Sequence, residues 1–159
     1  MFAFRGQKTA EHGQASVEPQ RSANERTYSG RPRVLLADDH RAVLERVESL
    51  LKPRFEVVGI ANNGGDLVTE AQRLQPDVIV LDIGMPILTG IEAAHEIRKT
   101  GAAVKLVFLT VHEDAEFVRA CFAEGALGYV KKSRLGTDLI PAINEALSGR
   151  RYVSPSVPR

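Results

Sequence analysis

Apolar residues along this chain follow two alternating rhythms. Solid blocks, Val34-Leu35-Leu36-Ala37, Val78-Ile79-Val80-Leu81 and Leu106-Val107-Phe108-Leu109, read as strands buried on both faces. Phe55 to Ala61 and Gly128-Tyr129-Val130 read as two more. Between the blocks the apolar positions move to helical spacing. Val43, Val47, Leu50 and Leu51 mark a helix over 41–52, which Pro53 stops. Asn62-Asn63-Gly64-Gly65 is a turn, and Asp66 suits the start of a second helix carrying Leu67, Ala71 and Leu74 inward. Ile91, Ala94 and Ile97 point inward from a third helix over 91–99. Val118, Cys121 and Phe122 do so from a fourth over 115–124, which Gly125 ends. A fifth helix is expected over 138–147, with Thr137 as N-cap, Pro141 in the first turn and Gly149 closing it.

The order is (βα)5. Strict alternation predicts an α/β fold with one doubly wound parallel sheet, helices on both faces. Right-handed crossovers then bring the carboxyl ends of the strands to one edge. What stands at those ends is chemical. The first block ends in Asp38-Asp39, the third in Asp82, the fourth in Thr110, and the fifth in Lys131-Lys132. Asp82 opens a loop broken by Gly84, Pro86 and Gly90. These ends are expected to converge on one site at the sheet edge, with three carboxylates, one hydroxyl and one ammonium.

Composition narrows the options. The 159 residues are 43% hydrophobic and 26% charged, enough for one domain with a sizeable core. A net charge of +1 supplies no global field for nucleic acid or an anionic membrane. No apolar run approaches the roughly 18 residues that span a bilayer. Met1 to Arg5 has no secretory pattern, so a cytoplasmic location is expected by elimination. The single Cys121 excludes an internal disulfide and reads as a small core residue. Residues 1–31, poor in aliphatics and without a period, read as a disordered arm. Residues 32–150 hold the folded unit, and 151–159 begin a linker or tail. His12, His40, His95 and His112 have no metal-ligand spacing and read as surface or cap residues, with His112 worth weighing because it lies two positions beyond Thr110.

Asp38-Asp39, Asp82 with Met85-Pro86 and Gly90, Thr110, and Gly128-Tyr129 followed by Lys132 occur in an order that resembles the receiver domain of bacterial response regulators. The stretches 82–86, 109–114 and 149–155 resemble the NarL/FixJ subfamily, whose receivers precede a LuxR-type helix-turn-helix. The resemblance implies a CheY-like, flavodoxin-like sheet of order 2-1-3-4-5. It implies that Asp82 is a phosphoacceptor served by a sensor histidine kinase or phosphotransfer protein. Mg²⁺, or Mn²⁺ in its place, would be held by Asp39, Asp82 and the Gly84 carbonyl, with Asp38 acting through water. Lys132 would pair with a phosphoryl oxygen, and Thr110 and Tyr129 would switch the surface. A phosphorylation-dependent homodimer is a further expectation. Direct DNA binding and membrane association by this stretch are not expected. His112 could orient the water that removes the phosphoryl group.

Three other functions compete. An aspartyl-phosphate phosphatase needs a second Asp two residues beyond the nucleophile, and that position is Gly84. A flavodoxin-type binder needs a phosphate loop after the first strand, where Asp38-Asp39 would repel an anion. A phosphorylation-independent binding module on the same fold is the third. The chain is therefore expected not to be an enzyme beyond self-catalysed phosphotransfer and autodephosphorylation.

Overall fold

The computed structural model describes residues 30–158, and the expected disordered arm falls almost wholly outside them. The described residues form one parallel sheet. Its strands are β1 (Arg33–Ala37), β2 (Glu56–Ala61), β3 (Val78–Leu81), β4 (Lys105–Thr110), β5 (Gly128–Lys131) and β6 (Tyr152–Val153), in the order β2-β1-β3-β4-β5-β6. The helices are α1 (Arg41–Leu51), α2 (Gly64–Leu74), α3 (Gly90–Lys99), α4 (Ala115–Ala123) and α5 (Leu135–Leu147). The expected order 2-1-3-4-5 is present, extended by a sixth strand from the segment read as a tail.

Strand alternation builds two cores. Leu35, Ala37, Ile79, Leu81, Leu106 and Phe108 face α2, α3 and α4, whose Leu67, Ala71, Ala94, Ile97, Val118 and Cys121 complete that layer. Val34, Leu36, Val78, Val80, Val107 and Leu109 face α1 and α5, meeting Val47, Leu51, Leu139, Ala142, Ile143 and Ala146. Burial on both faces explains why these strands read as unbroken apolar blocks rather than alternating ones.

Local chemistry sets the helix starts. Asn63 caps α2 by accepting from the Asp66 amide at 2.8 Å. Thr89 and Glu92 form a reciprocal capping box at the start of α3. Helix α5 differs from the expectation. It begins at Leu135, run on from a 3₁₀ turn over Lys132–Arg134, so Thr137 is not its cap and Pro141 lies in the second turn. Buried Leu135 and Leu139 anchor the early start, and tertiary packing on both sides of Pro141 outweighs the lost backbone bond.

The C-terminal segment is docked. The Tyr152 amide donates to Leu127 and the Ser154 amide to Tyr129, continuing the ladder beyond β5. Val157 is buried in the core layer that contains Tyr129. The Arg151 guanidinium stands 4.4 Å over the Phe122 ring on α4.

Candidate functional site

The Asp82 amide donates to the Ala37 carbonyl at 3.0 Å and the Asp38 amide to Ala61 at 3.1 Å, so the sheet ladder itself sets the two acids side by side. Their side chains are 4% and 6% exposed for Asp38 and Asp82. Buried carboxylates need a cation or several donors to remain charged. Lys132, just past the end of β5, reaches across. Its Nζ lies 2.7 Å from Asp38 Oδ2 and 3.0 Å from Asp82 Oδ2, and its side chain is 12% exposed. Burial opposes the ammonium charge, yet the bonds to both carboxylates outweigh it and raise the Lys132 pKa. The Ile83 amide donates to Asp82 Oδ1 at 2.7 Å.

Asp39 is at the mouth and more exposed. His40 sits above the pair. Its amide donates to Asp38 Oδ1 at 2.9 Å, and its Nδ1 lies 3.0 Å from Asp38 Oδ1 and 3.1 Å from Asp39 Oδ1. Asp38, Asp39, His40 and Asp82 each offer a ligand atom within 4.8 Å of the others. Three carboxylates and an imidazole at this spacing are a donor set that fits a divalent cation. The sequence reads His40 as a surface or cap residue, and its side chain is exposed. It is the N-cap of α1 but makes no side-chain cap bond, because the ring is turned to the acids instead.

The loop after Asp82 is shaped by close approach. A Cβ on Gly90 would run into the Asp82 carbonyl, so only glycine lets α3 start there. The Gly90 amide closes the loop onto Ile83 at 2.7 Å. Gly84 is exposed, with nothing near the place where a Cβ would stand. Ile87 holds φ at 73°, an uncommon conformation for a β-branched residue, and is 77% exposed.

Thr110 and Tyr129 are both fully buried and are joined through one backbone residue. The His112 amide donates to Thr110 Oγ1 at 3.3 Å, and the Tyr129 hydroxyl donates to the His112 carbonyl at 2.9 Å. Tyr129 therefore already lies inward, and burial raises its phenol pKa. The His112 ring stacks on Phe117 of α4, with centroids 4.4 Å apart. Cys121 is buried, which pushes its thiol up to about 12 and leaves it a packing residue.

Two polar features escaped the sequence reading. Lys131, which the sequence offers only as the residue before Lys132, is held in place: its Nζ pairs with Glu113 at 3.1 Å and bonds the Ser156 hydroxyl. Asp138 is buried in α5 and bound by Arg134, by Thr137, and by the Ser154 hydroxyl at 2.7 Å. Burial opposes its charge, but those donors outweigh it and hold its pKa below the usual carboxylate range. Nothing in local spacing couples position 138 to position 154. Among the described residues, no helix is long and apolar enough to cross a membrane.

The sequence profile described as response regulator receiver domain matches residues 34–144. The transcriptional regulatory protein DegU of Brevibacillus brevis is 32% identical over 136 residues, which are 84% of this chain and 58% of that one. Response regulator UvrY of Escherichia coli strain K12 is 33% identical over 126 residues, 78% of this chain and 58% of its own length. The chain thus spans less than two thirds of these relatives. Among solved structures, a LuxR-family two-component response regulator from Aurantimonas sp. SI85-9A1 superposes with a TM-score of 0.76 at 35% identity, covering 80% of this chain and 92% of that one. The signal receiver domain of the putative response regulator NarL from Mycobacterium tuberculosis gives 0.73 at 27% identity, covering 76% and 99%.

Proposed function

Since this chain belongs to the response regulator receiver domain family, we propose that it takes a phosphoryl group from a histidine kinase or phosphotransfer protein onto Asp82. The observation that carries this is the Asp82 carboxylate at the sheet edge, nearly buried, with the Lys132 ammonium 3.0 Å away and a second buried acid beside it. An Asp82 oxygen attacks phosphorus, the new O–P bond forms, and the N–P bond of the donor phosphohistidine breaks. Such a transfer needs alignment and charge neutralisation more than covalent help. A bound Mg²⁺ or Mn²⁺ would supply charge neutralisation, with Asp39, Asp82 and the Gly84 carbonyl as ligands and Asp38 acting through water. Lys132 holds one phosphoryl oxygen as a point charge.

Readout follows the buried chain of bonds from Thr110 through the His112 backbone to Tyr129. A Thr110 hydroxyl drawn toward a phosphoryl oxygen gives up the His112 amide. The carbonyl that accepts from Tyr129 then shifts, and the surface of α4, β5 and α5 changes with it. The name of one relative, the transcriptional regulatory protein DegU, supports transcriptional control as the regulated output, exerted through a DNA-binding domain or partner, with a phosphorylation-dependent homodimer as one route.

Incubation with Mg²⁺ and acetyl phosphate tests the reading. Intact mass should show one added phosphoryl group, lost in Asp82→Ala. Equal labelling of wild type and Asp82→Ala would refute Asp82 as acceptor. No labelling of the folded wild type would favour a phosphorylation-independent binding module.

A further inference from the structure

Lys132 and His40 approach the acids from different sides. Lys132 takes the Oδ2 atoms of Asp38 and Asp82. His40 Nδ1 faces Asp38 Oδ1 and Asp39 Oδ1 at 3.0 and 3.1 Å. The nitrogen therefore stands where a cation shared by the acids would find it. We propose that His40 is itself a metal ligand, and that it turns an all-oxygen Mg²⁺ site into a mixed nitrogen–oxygen site favouring borderline divalent cations. This rests on the cation-assisted reading of Asp82 given above and deepens it by naming the class of cation.

The geometry is close to what such a cation requires. First-row metal bonds to imidazole nitrogen and carboxylate oxygen are about 2.0–2.2 Å, so opposed ligands stand about 4.2 Å apart. The ligand atoms of Asp39, His40 and Asp82, with the Asp38 oxygen that would act through water beside them, already lie within 4.8 Å of one another. Closing the remaining few tenths of an ångström asks little of His40, whose side chain is 64% exposed. The backbone around it is fixed, because the His40 amide is bonded to Asp38 Oδ1 and its carbonyl accepts from the Val43 and Leu44 amides of α1. Where the ring holds a proton on Nδ1, that proton passes to water as the cation takes its place.

Ligand chemistry then decides the preference. Mg²⁺ favours oxygen and keeps its waters, gaining little from an imidazole. Ni²⁺, Zn²⁺ and, more weakly, Mn²⁺ gain a nitrogen donor in the Irving–Williams sense. His40 is thus a specificity-determining residue for the cation rather than for the phosphoryl donor.

Calorimetric titration of the full chain with Mg²⁺ and with Ni²⁺, wild type against His40→Ala, reads the effect. Mg²⁺ should displace Ni²⁺ competitively from the wild type, which separates this site from other histidines. His40→Ala should weaken Ni²⁺ by about tenfold or more, which corresponds to about 1.4 kcal/mol, and change Mg²⁺ by less than twofold. Electron spin-echo spectra of the Mn²⁺-loaded protein should carry modulation from a directly bound nitrogen that vanishes in the variant. Because the exposed ring makes no cap bond, the variant should fold as wild type by circular dichroism. Equal weakening of both cations, or absence of nitrogen modulation in the wild type, overturns the assignment while leaving Asp82 as acceptor intact. A wild type that binds neither cation in competition overturns it together with the cation-assisted reading itself.

Discussion

Lys132→Ala tests how charge is balanced at this site, because the same ammonium both stabilises the buried acids and competes with a cation for them. In metal-free buffer the substitution removes a partner at 2.7 Å from Asp38 and 3.0 Å from Asp82, leaving two nearly buried carboxylates without their cation. Breaking a buried pair from one side costs roughly 3–5 kcal/mol. The mouth beside Asp39 admits water, so the low end, about 3 kcal/mol, is expected in EDTA. The variant should also bind Mg²⁺ more tightly, since two carboxylate oxygens are released and one positive charge is gone. Cation at a hundredfold excess over its Kd stabilises the native state by about 2.7 kcal/mol, and at a thousandfold by about 4.1. A tenfold gain in affinity therefore returns about 1.4 kcal/mol, and the loss should shrink to about 1.6 kcal/mol at the Mg²⁺ concentration that is a hundredfold over the wild-type Kd. Urea unfolding followed by far-ultraviolet circular dichroism, in EDTA and in Mg²⁺, gives both numbers. The sign with pH is set by the raised Lys132 pKa. Its contribution is complete below the ordinary lysine value of about 10.4 and is lost only as pH rises through the folded value. The difference between wild type and variant should thus be flat from about pH 7 to 9. An identical loss in EDTA and in Mg²⁺ would refute the competition between ammonium and cation.

Three further outcomes are expected. Ser154→Ala removes the donor to Asp138 and the acceptor of the Lys131 amide, and should cost about 2 kcal/mol in urea at neutral pH. Asp138 has a lowered pKa, so that contribution is present above the ordinary Asp value of about 3.9 and is lost as pH falls through the folded one; a gap between the two proteins that persists unchanged at lower pH would contradict it. Ile87→Gly relieves a β-branched residue at φ 73° and should raise stability by about 1 kcal/mol net of the glycine entropy, whereas a fall in the urea midpoint would show the conformation to be unstrained. His112→Ala should slow loss of the phosphoryl group by about tenfold if its ring orients the attacking water; decay within a factor of two would leave the ring only its packing on Phe117.

The fold and the placement of the acids at one sheet edge were legible because their causes are local or periodic. A strand buried on both faces must be apolar at every position, as Val78–Leu81 is, and a helix on a sheet must repeat its apolar face every turn. Chain order and the right-handed crossover then force the ends at Asp38, Asp82, Thr110 and Lys131 together without any knowledge of contacts. Three features belong to the tertiary structure alone. Strand β6 exists because β5 offers an open edge, and two residues of strand carry too little pattern to be read from sequence. The bond between Asp138 and Ser154 joins α5 to the segment just past β6, so the buried acid looks like an ordinary polar helix position until its donors are seen. His40 follows Asp38 and Asp39 directly in the chain, but the third carboxylate of the group, Asp82, comes from a different strand. The ladder from β1 to β3, not the sequence interval, puts an imidazole and three carboxylates within reach of one cation.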